Sequence, residues 1–257
     1  MMTPGNVLEI HGLTKRFGNH AALDAVSFAV REREVVALLG DNGAGKSTLV
    51  KCIAGIYRPD DGEITLAGER FHAGSPAGVR AHGVGIVYQD LALFDNLSVA
   101  ENLFAGSEPS WPARPRGLGV VRRRAMLDEA RRTLHRLEVR IPNLKTPVGL
   151  LSGGQRQAIA VSKGIAFARQ LVILDEPTAA LGLRERGNVL RLIRQLPAAG
   201  VAVIVISHNL EDVISVADRA VVLRQGTKVG EVEATQDNHE TMVSMIVGGP
   251  EAPASGM

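Results

Sequence analysis

Apolar residues follow two patterns along this chain, and the change between them divides it. Over residues 7–30 apolar and polar positions alternate; in "AVSFAV", Val26, Phe28 and Val30 share one face, as in half-buried strands. Four later runs, at 35–39, 84–88, 171–174 and 201–206, are apolar throughout. Runs of that kind, with helical stretches between them, predict a mostly parallel α/β sheet covered on both faces. The segment 221–232, "VVLRQGTKVGEV", reads as a hairpin.

Residues 91–152 break the rhythm. "SVAENLFAG" begins a helix, the Pro-rich stretch 107–117 reads as a loop, and Leu127, Ala130, Leu134 and Leu137 form a helical stripe. This predicts one domain over 1–247, with sheet core at about 1–90 and 153–247 and a helical insert at about 91–152. Residues 248–257 read as a loose tail.

Each apolar run ends at something polar: the Gly40 loop, Gln89, Asp175–Glu176, and Ser207–His208. Open α/β sheets bind ligands beyond the carboxyl ends of their strands, so four motifs at four strand ends predict a single site. "GDNGAGKST" fits G-x-x-x-x-G-K-[ST] through Gly40, Gly45, Lys46 and Ser47, with Asp41, Asn42, Gly43 and Ala44 inside the loop and Thr48 after it. It follows a strand and opens a helix, the context this phosphate loop requires. Glycines let backbone N–H groups turn inward around an anion. Lys46 is placed for the β- and γ-phosphates of a nucleoside triphosphate, and the Ser47 hydroxyl for Mg²⁺.

In "LVILDEP", Asp175 is the candidate to hold Mg²⁺ and Glu176 the candidate to orient and deprotonate the attacking water. Pro177 should stop the strand and fix the direction of both carboxylates. Gln89 offers an amide oxygen to Mg²⁺ or water without adding charge. His208 is a candidate contact to the γ-phosphate and the water. The other histidines show no zinc spacing.

A second anion-facing turn comes more than a hundred residues after the first. In "LLSGGQRQ", Ser152 and Gln155 stand at capping-box spacing and Gly153–Gly154 open a long helix, with Ile159, Ser162, Ile165 and Ala166 roughly on one side. One phosphate loop with two receptors is most simply resolved by two chains, each closing over the nucleotide held by the other in an isologous dimer.

In their order, "GDNGAGKST", Gln89, "LSGGQRQ", "LVILDEP" and His208 resemble an ATPase subunit of the ABC transporters, over about residues 7–230. The resemblance implies a P-loop (RecA-like) core with an N-terminal antiparallel β subdomain and an inserted helical subdomain. It implies ATP and Mg²⁺ as ligands, the Ser152–Gln155 turn acting in trans, and Phe17 stacking on adenine. It also exposes a departure: after "DEPTAAL" the family usually has Asp, where this chain has Gly182, which puts cross-site coupling in doubt.

"VYQDLALFDNLSVAENLF" and "DEPTAALG" look like the ATPases of bacterial monosaccharide importers, here in the half-length fructose- or xylose-type form that pairs with itself. The implied partners are a second copy, transmembrane permease subunits and, indirectly, a sugar-binding protein, placing the chain peripherally on the cytoplasmic face of the inner membrane. Amino-acid importers and exporters share these motifs and remain alternatives, as does a non-transport ABC ATPase.

Composition changes little. Apolar residues at 45 % and charged residues at 22 % are ordinary for a globular protein. A formal charge of +2, from 29 basic and 27 acidic side chains, gives no pull towards nucleic acid. The single cysteine, Cys52, forms no internal disulfide and reads as core. No signal-peptide pattern opens the chain and no apolar run reaches the roughly 18 residues of a spanning helix. Arg122–Arg124 read as a solvated face, and Trp111 has no functional reading.

Overall fold

The computed structural model describes residues 5–71, 76–88, 90–111, 120–179 and 181–248. The expected Gln89 site, the middle of the Pro-rich stretch and the tail from residue 249 lie outside the described residues.

The alternating segment forms two long antiparallel strands, β1 (Asn6–Phe17) and β2 (His20–Arg31). Val26, Phe28 and Val30 are all buried, as their shared face requires. β3 is Val35–Leu39 and α1 is Lys46–Ile53. β4 (Asp61–Leu66) and β5 (Glu69–Phe71) complete a four-stranded antiparallel sheet in the order β2-β1-β4-β5.

After α2 (Pro76–Ala81) and β6 (Val84–Val87) comes the insert: α3 (Val99–Phe104), a two-residue ribbon β7 (Ser110–Trp111) and β8 (Val120–Val121), and α4 (Arg123–Arg136). The ribbon is a departure from the expected loop. α5 (Gly153–Phe167) leads to β9 (Leu171–Asp175), α6 (Leu183–Gln195), β10 (Ala202–Ile206), α7 (Leu210–Val216), β11 (Arg219–Arg224), β12 (Thr227–Glu233) and α8 (His239–Val247).

The second sheet has the order β12-β11-β3-β10-β9-β6, parallel except for the β12 edge. Its wholly apolar strands are explained by its two faces. Val36 and Leu38 of β3, Leu171 and Ile173 of β9, and Ile204 and Ile206 of β10 enter one core, shared with α1 and the antiparallel sheet. The alternate residues Val35, Ala37, Leu39, Val172, Leu174, Val203 and Val205 enter another, shared with α5, α6, α7 and α8. Successive strand residues point to opposite faces, so a sheet covered twice needs both sets apolar. Burying each Val, Leu or Ile side chain contributes about 1.5–3 kcal/mol.

A third core lies in the insert, where Val99, Leu103, Met126, Ala130 and Leu134 meet Ile159 of α5. The predicted stripe on α4 is rotated slightly: Met126 is buried, Leu127 is only partly covered, and Leu137 joins the sheet core. α5 therefore belongs to two cores. It also lies close against β6: a Cβ on Gly85 would meet the Gly164 carbonyl oxygen at 2.1 Å.

Candidate active site

Parallel pairing brings the motifs to one edge. Ile206 pairs with both Leu38 and Asp175, so β3, β10 and β9 end at the same level. Beyond β3, Gly40, Gly43 and Gly45 take positive φ of 147°, 83° and 101°. Gly45 is the N-cap of α1 and uses no side chain to cap it. The loop is held from below by its own chain. A Cβ at Gly40 would stand 2.3 Å from the Leu223 carbonyl oxygen, and one at Gly45 2.6 Å from that of Ala22. The hairpin turn between β11 and β12 donates from Gly226 N to Ala44 O at 3.1 Å. Gln225 and Gly226 both have φ > 0, as a two-residue turn of this twist demands.

Lys46 Nζ donates to the Gly40 and Asp41 carbonyls, at 2.7 and 3.0 Å. Burial pulls its pKa below the ordinary lysine value, against the opposing pull of Glu176, Asp175 and Asp41. Asp41, Asn42, Gly43 and Ser47 are exposed, Thr48 is partly covered and Ala44 is buried. The Asp175 carboxyl is held above its usual range by burial and by Glu176, with Lys46 and Lys51 offsetting in part. The partly buried Asp175 carboxyl and the exposed Ser47 hydroxyl are oxygen donors of the kind a hard cation takes.

β9 ends in a bend at Glu176, whose φ is +50°. The turn therefore lies at the carboxylate itself, one residue before Pro177. A left-handed backbone at a residue with a Cβ costs roughly 1–2 kcal/mol, a strain typical of functional positions. Glu176 N still donates to Ile206 O at 3.0 Å, and Glu176 Oε1 lies 2.9 Å from His208 Nδ1. The glutamate side chain is 14 % exposed and the histidine 79 %. The pair thus has a fixed end and an open end.

Phe17, at the end of β1, is 45 % exposed. Its ring meets Tyr57 edge to face at 5.2 Å, with Lys15 Nζ 5.5 Å from its centroid. Composition alone would place this phenylalanine in the core, whereas the structure leaves its ring accessible.

The second turn caps α5 as predicted. Gln155 N donates to Ser152 Oγ at 3.2 Å and Ser152 N to Gln155 Oε1 at 3.1 Å. The Ser152 hydroxyl is thus already engaged as an acceptor, and what it retains for a ligand is its proton. Ser152 and Gly153 are exposed, and the Glu185 side chain lies over Gly154, where a Cβ would meet its Cγ at 2.1 Å. Leu150 and Leu183, on the approaches to this turn and to α6, are 77 % and 88 % exposed. Gly182 is the N-cap of α6, in extended backbone and without a side-chain cap.

Three polar residues escaped the sequence reading: Gln157, Thr178 and Asp212. All are buried close behind the strand ends. Asn209 caps α7 at the spacing that places Asp212 three residues on, a signal available in "SHNLED". Gln157 and Thr178 give no comparable signal.

Fold and site together define a P-loop nucleoside-triphosphatase. The family described as ABC transporter matches residues 23–179. The chain is 39 % identical over 241 residues to the xylose/arabinose import ATP-binding protein XylG of Sulfolobus acidocaldarius, covering 94 % of each. It is 43 % identical over 242 residues to the ribose import ATP-binding protein RbsA 1 of Rubrobacter xylanophilus, spanning 47 % of that longer protein. A solved nucleotide-free ATP-binding cassette from an ABC transporter shares the fold, with a TM-score of 0.82 at 24 % identity over 94 % of this chain and 97 % of that one. The chain belongs to the ABC transporter family, as one of its ATPases.

Proposed function

We propose that this chain is the ATP-binding and ATP-hydrolysing subunit of a monosaccharide importer, working as a pair of copies beneath transmembrane permease subunits. The observation that carries the chemistry is the Glu176–His208 pair, 2.9 Å apart at the strand ends that also carry the Lys46 loop. Support for the cargo class comes from relatives named for xylose, arabinose and ribose import. Among the described residues no helix is long and apolar enough to cross a membrane. The sugar-binding protein is an indirect partner, and the chain sits peripherally at the cytoplasmic face of the inner membrane. We read residues 1–247 as one domain carrying the insert at 91–152.

In this mechanism Gly40–Thr48 wrap the phosphates with backbone N–H groups and Lys46 meets the β- and γ-oxygens. Ser47 and Asp175 would hold Mg²⁺, which would supply positive charge to offset the negative charge developing on the phosphates. Gln89 keeps its assignment from sequence, as a ligand to the ion or the water. Phe17 offers a face to the adenine. Glu176 orients a water and accepts its proton as the water oxygen bonds to the γ-phosphorus. The bond from that phosphorus to the bridging oxygen breaks, and ADP leaves with the electron pair. His208 steadies Glu176 and reaches the γ-phosphate. Ser152, Gly153, Gly154 and Gln155 close over the nucleotide of the partner copy.

Glu176→Gln tests the reading. The variant should bind ATP, accumulate as a dimer on size exclusion, and release phosphate at least about 100-fold more slowly. Unimpaired phosphate release by this variant would contradict the assignment of the base.

A further inference from the structure

We propose that Asp212, with Thr178 and Gln157, forms a buried brace of positioning residues that sets the Glu176–His208 pair and ties it to the helix of the second turn. The proposal rests on reading Glu176 and His208 as the hydrolytic pair.

Asp212 lies in the first turn of α7 and is 3 % exposed. Both its carboxylate oxygens are engaged. Oδ2 accepts from the Thr178 hydroxyl at 2.7 Å and Oδ1 from Arg186 Nε of α6 at 2.6 Å. Its backbone N–H donates to Asn209 Oδ1 at 3.1 Å. Thr178 stands two residues past Glu176, and Asn209 one residue past His208. Asp212 therefore joins the two segments that deliver the pair, its carboxylate holding the one after Glu176 and its backbone N–H the one after His208. Gln157 of α5, itself buried, donates from Nε2 to the Pro177 carbonyl at 2.8 Å, immediately after Glu176.

Capping does not account for this arrangement. Asn209 already caps α7 through its own side chain, while the Asp212 oxygens reach away from the helix to Thr178 and Arg186. Glu176 occupies a strained left-handed conformation, which persists only where its surroundings over-determine it. The brace supplies that constraint. Through the Gln157 bond to the Pro177 carbonyl it also ties the segment after Glu176 to α5, whose N-terminus is Ser152–Gln155.

The test measures ATP affinity, phosphate release and melting temperature for the full-length protein and for Thr178→Val, Thr178→Ser, Asp212→Asn and Gln157→Met. The brace predicts kcat lower by at least roughly ten-fold in Thr178→Val and Asp212→Asn, since small misplacements at a reacting centre cost up to about 100-fold. The ATP dissociation constant should stay within about two-fold, and Thr178→Ser, which keeps the hydroxyl, should retain turnover. Because they break one network, the Val and Asn changes together should cost little more than either alone. Loss of ATP binding in parallel with turnover, or a lower melting temperature with kcat unchanged, would assign these residues to folding and overturn the proposal. Normal turnover in both variants, with Glu176→Gln impaired, would overturn the brace alone. Wild-type turnover in Glu176→Gln would overturn the underlying reading and the brace with it.

Discussion

The two glycine-rich turns of this chain differ in what surrounds them. The first, Gly40–Ser47, is held from below by its own polypeptide: β2 lies under Gly45, β11 under Gly40, and the Gln225–Gly226 turn bonds to Ala44. A lysine, two carboxylates and a histidine converge around it. The second, Ser152–Gln155, has a finished cap, exposed backbone and exposed leucines on its approaches. Its neighbouring carboxylate, Glu185, belongs to the wrong sign for a phosphate site standing alone. Local folding completes both turns, but only the first has the side chains of a reaction centre. We read the second as a lid, since its exposed apolar flank is the kind of surface that another molecule covers.

The largest blow to this asymmetry should come from Lys46→Ala. Removing the charge at the first turn should lower turnover by about 10³-fold, as loss of a preorganised electrostatic group does. Phosphate release and nucleotide binding check it, and wild-type turnover would refute the assignment of the first turn.

A pair of glycine changes sharpens the comparison. Gly45→Ala should destabilise the protein by about 1–3 kcal/mol or more, because the backbone there is left-handed and the new Cβ strikes the Ala22 carbonyl. Gly153→Ala meets nothing within 4 Å and stands at the start of α5. Its melting temperature should hold or rise, alanine being up to about 1 kcal/mol better than glycine in a helix. Any loss of turnover in that variant then reports on the lid rather than on folding. Thermal melts paired with rate measurements separate the two.

The smallest effect is expected at Cys52, on the buried side of the helix that the first turn opens. Burial pushes its thiol up to about 11. Thiolate is therefore scarce at neutral pH, and iodoacetamide should label the native protein far more slowly than the unfolded chain, with or without nucleotide. Rapid native labelling would show that this helix is not packed as described.

What the sequence made legible follows from where the information lies. The strands at 35–39, 171–174 and 201–206 are apolar at every position, so their burial on both faces can be read directly. The motif at each strand end then falls to one edge by topology. Ser152 and Gln155 announce their cap by spacing, and the run 221–232 announces a hairpin, whose turn the fold places at Gln225–Gly226. The remainder depends on tertiary approach. Thr178, Asp212 and Gln157 are far apart in the chain and carry no periodic signal, so their meeting behind Glu176 is visible only in the fold. In the sequence Pro177 is the visible punctuation of β9, whereas the bend falls one residue earlier, at a left-handed glutamate that residue type does not announce. Phe17 is named by the family resemblance and not by its chemistry, which says core, while its place at the end of β1 leaves it exposed.

The claim on which the account turns is that the second turn of one copy completes the first turn of another. A mixed dimer carrying Ser152→Arg on one chain and Lys46→Ala on the other tests it, with phosphate release measured against each parent homodimer. If the turns act between chains, both defects fall in one composite site and the other stays intact. Turnover should then recover to roughly half that of the wild type, as two equivalent sites in an isologous pair require. If the mixed dimer is as inactive as its parents, each chain closes its own site, and the second turn is not the partner's lid.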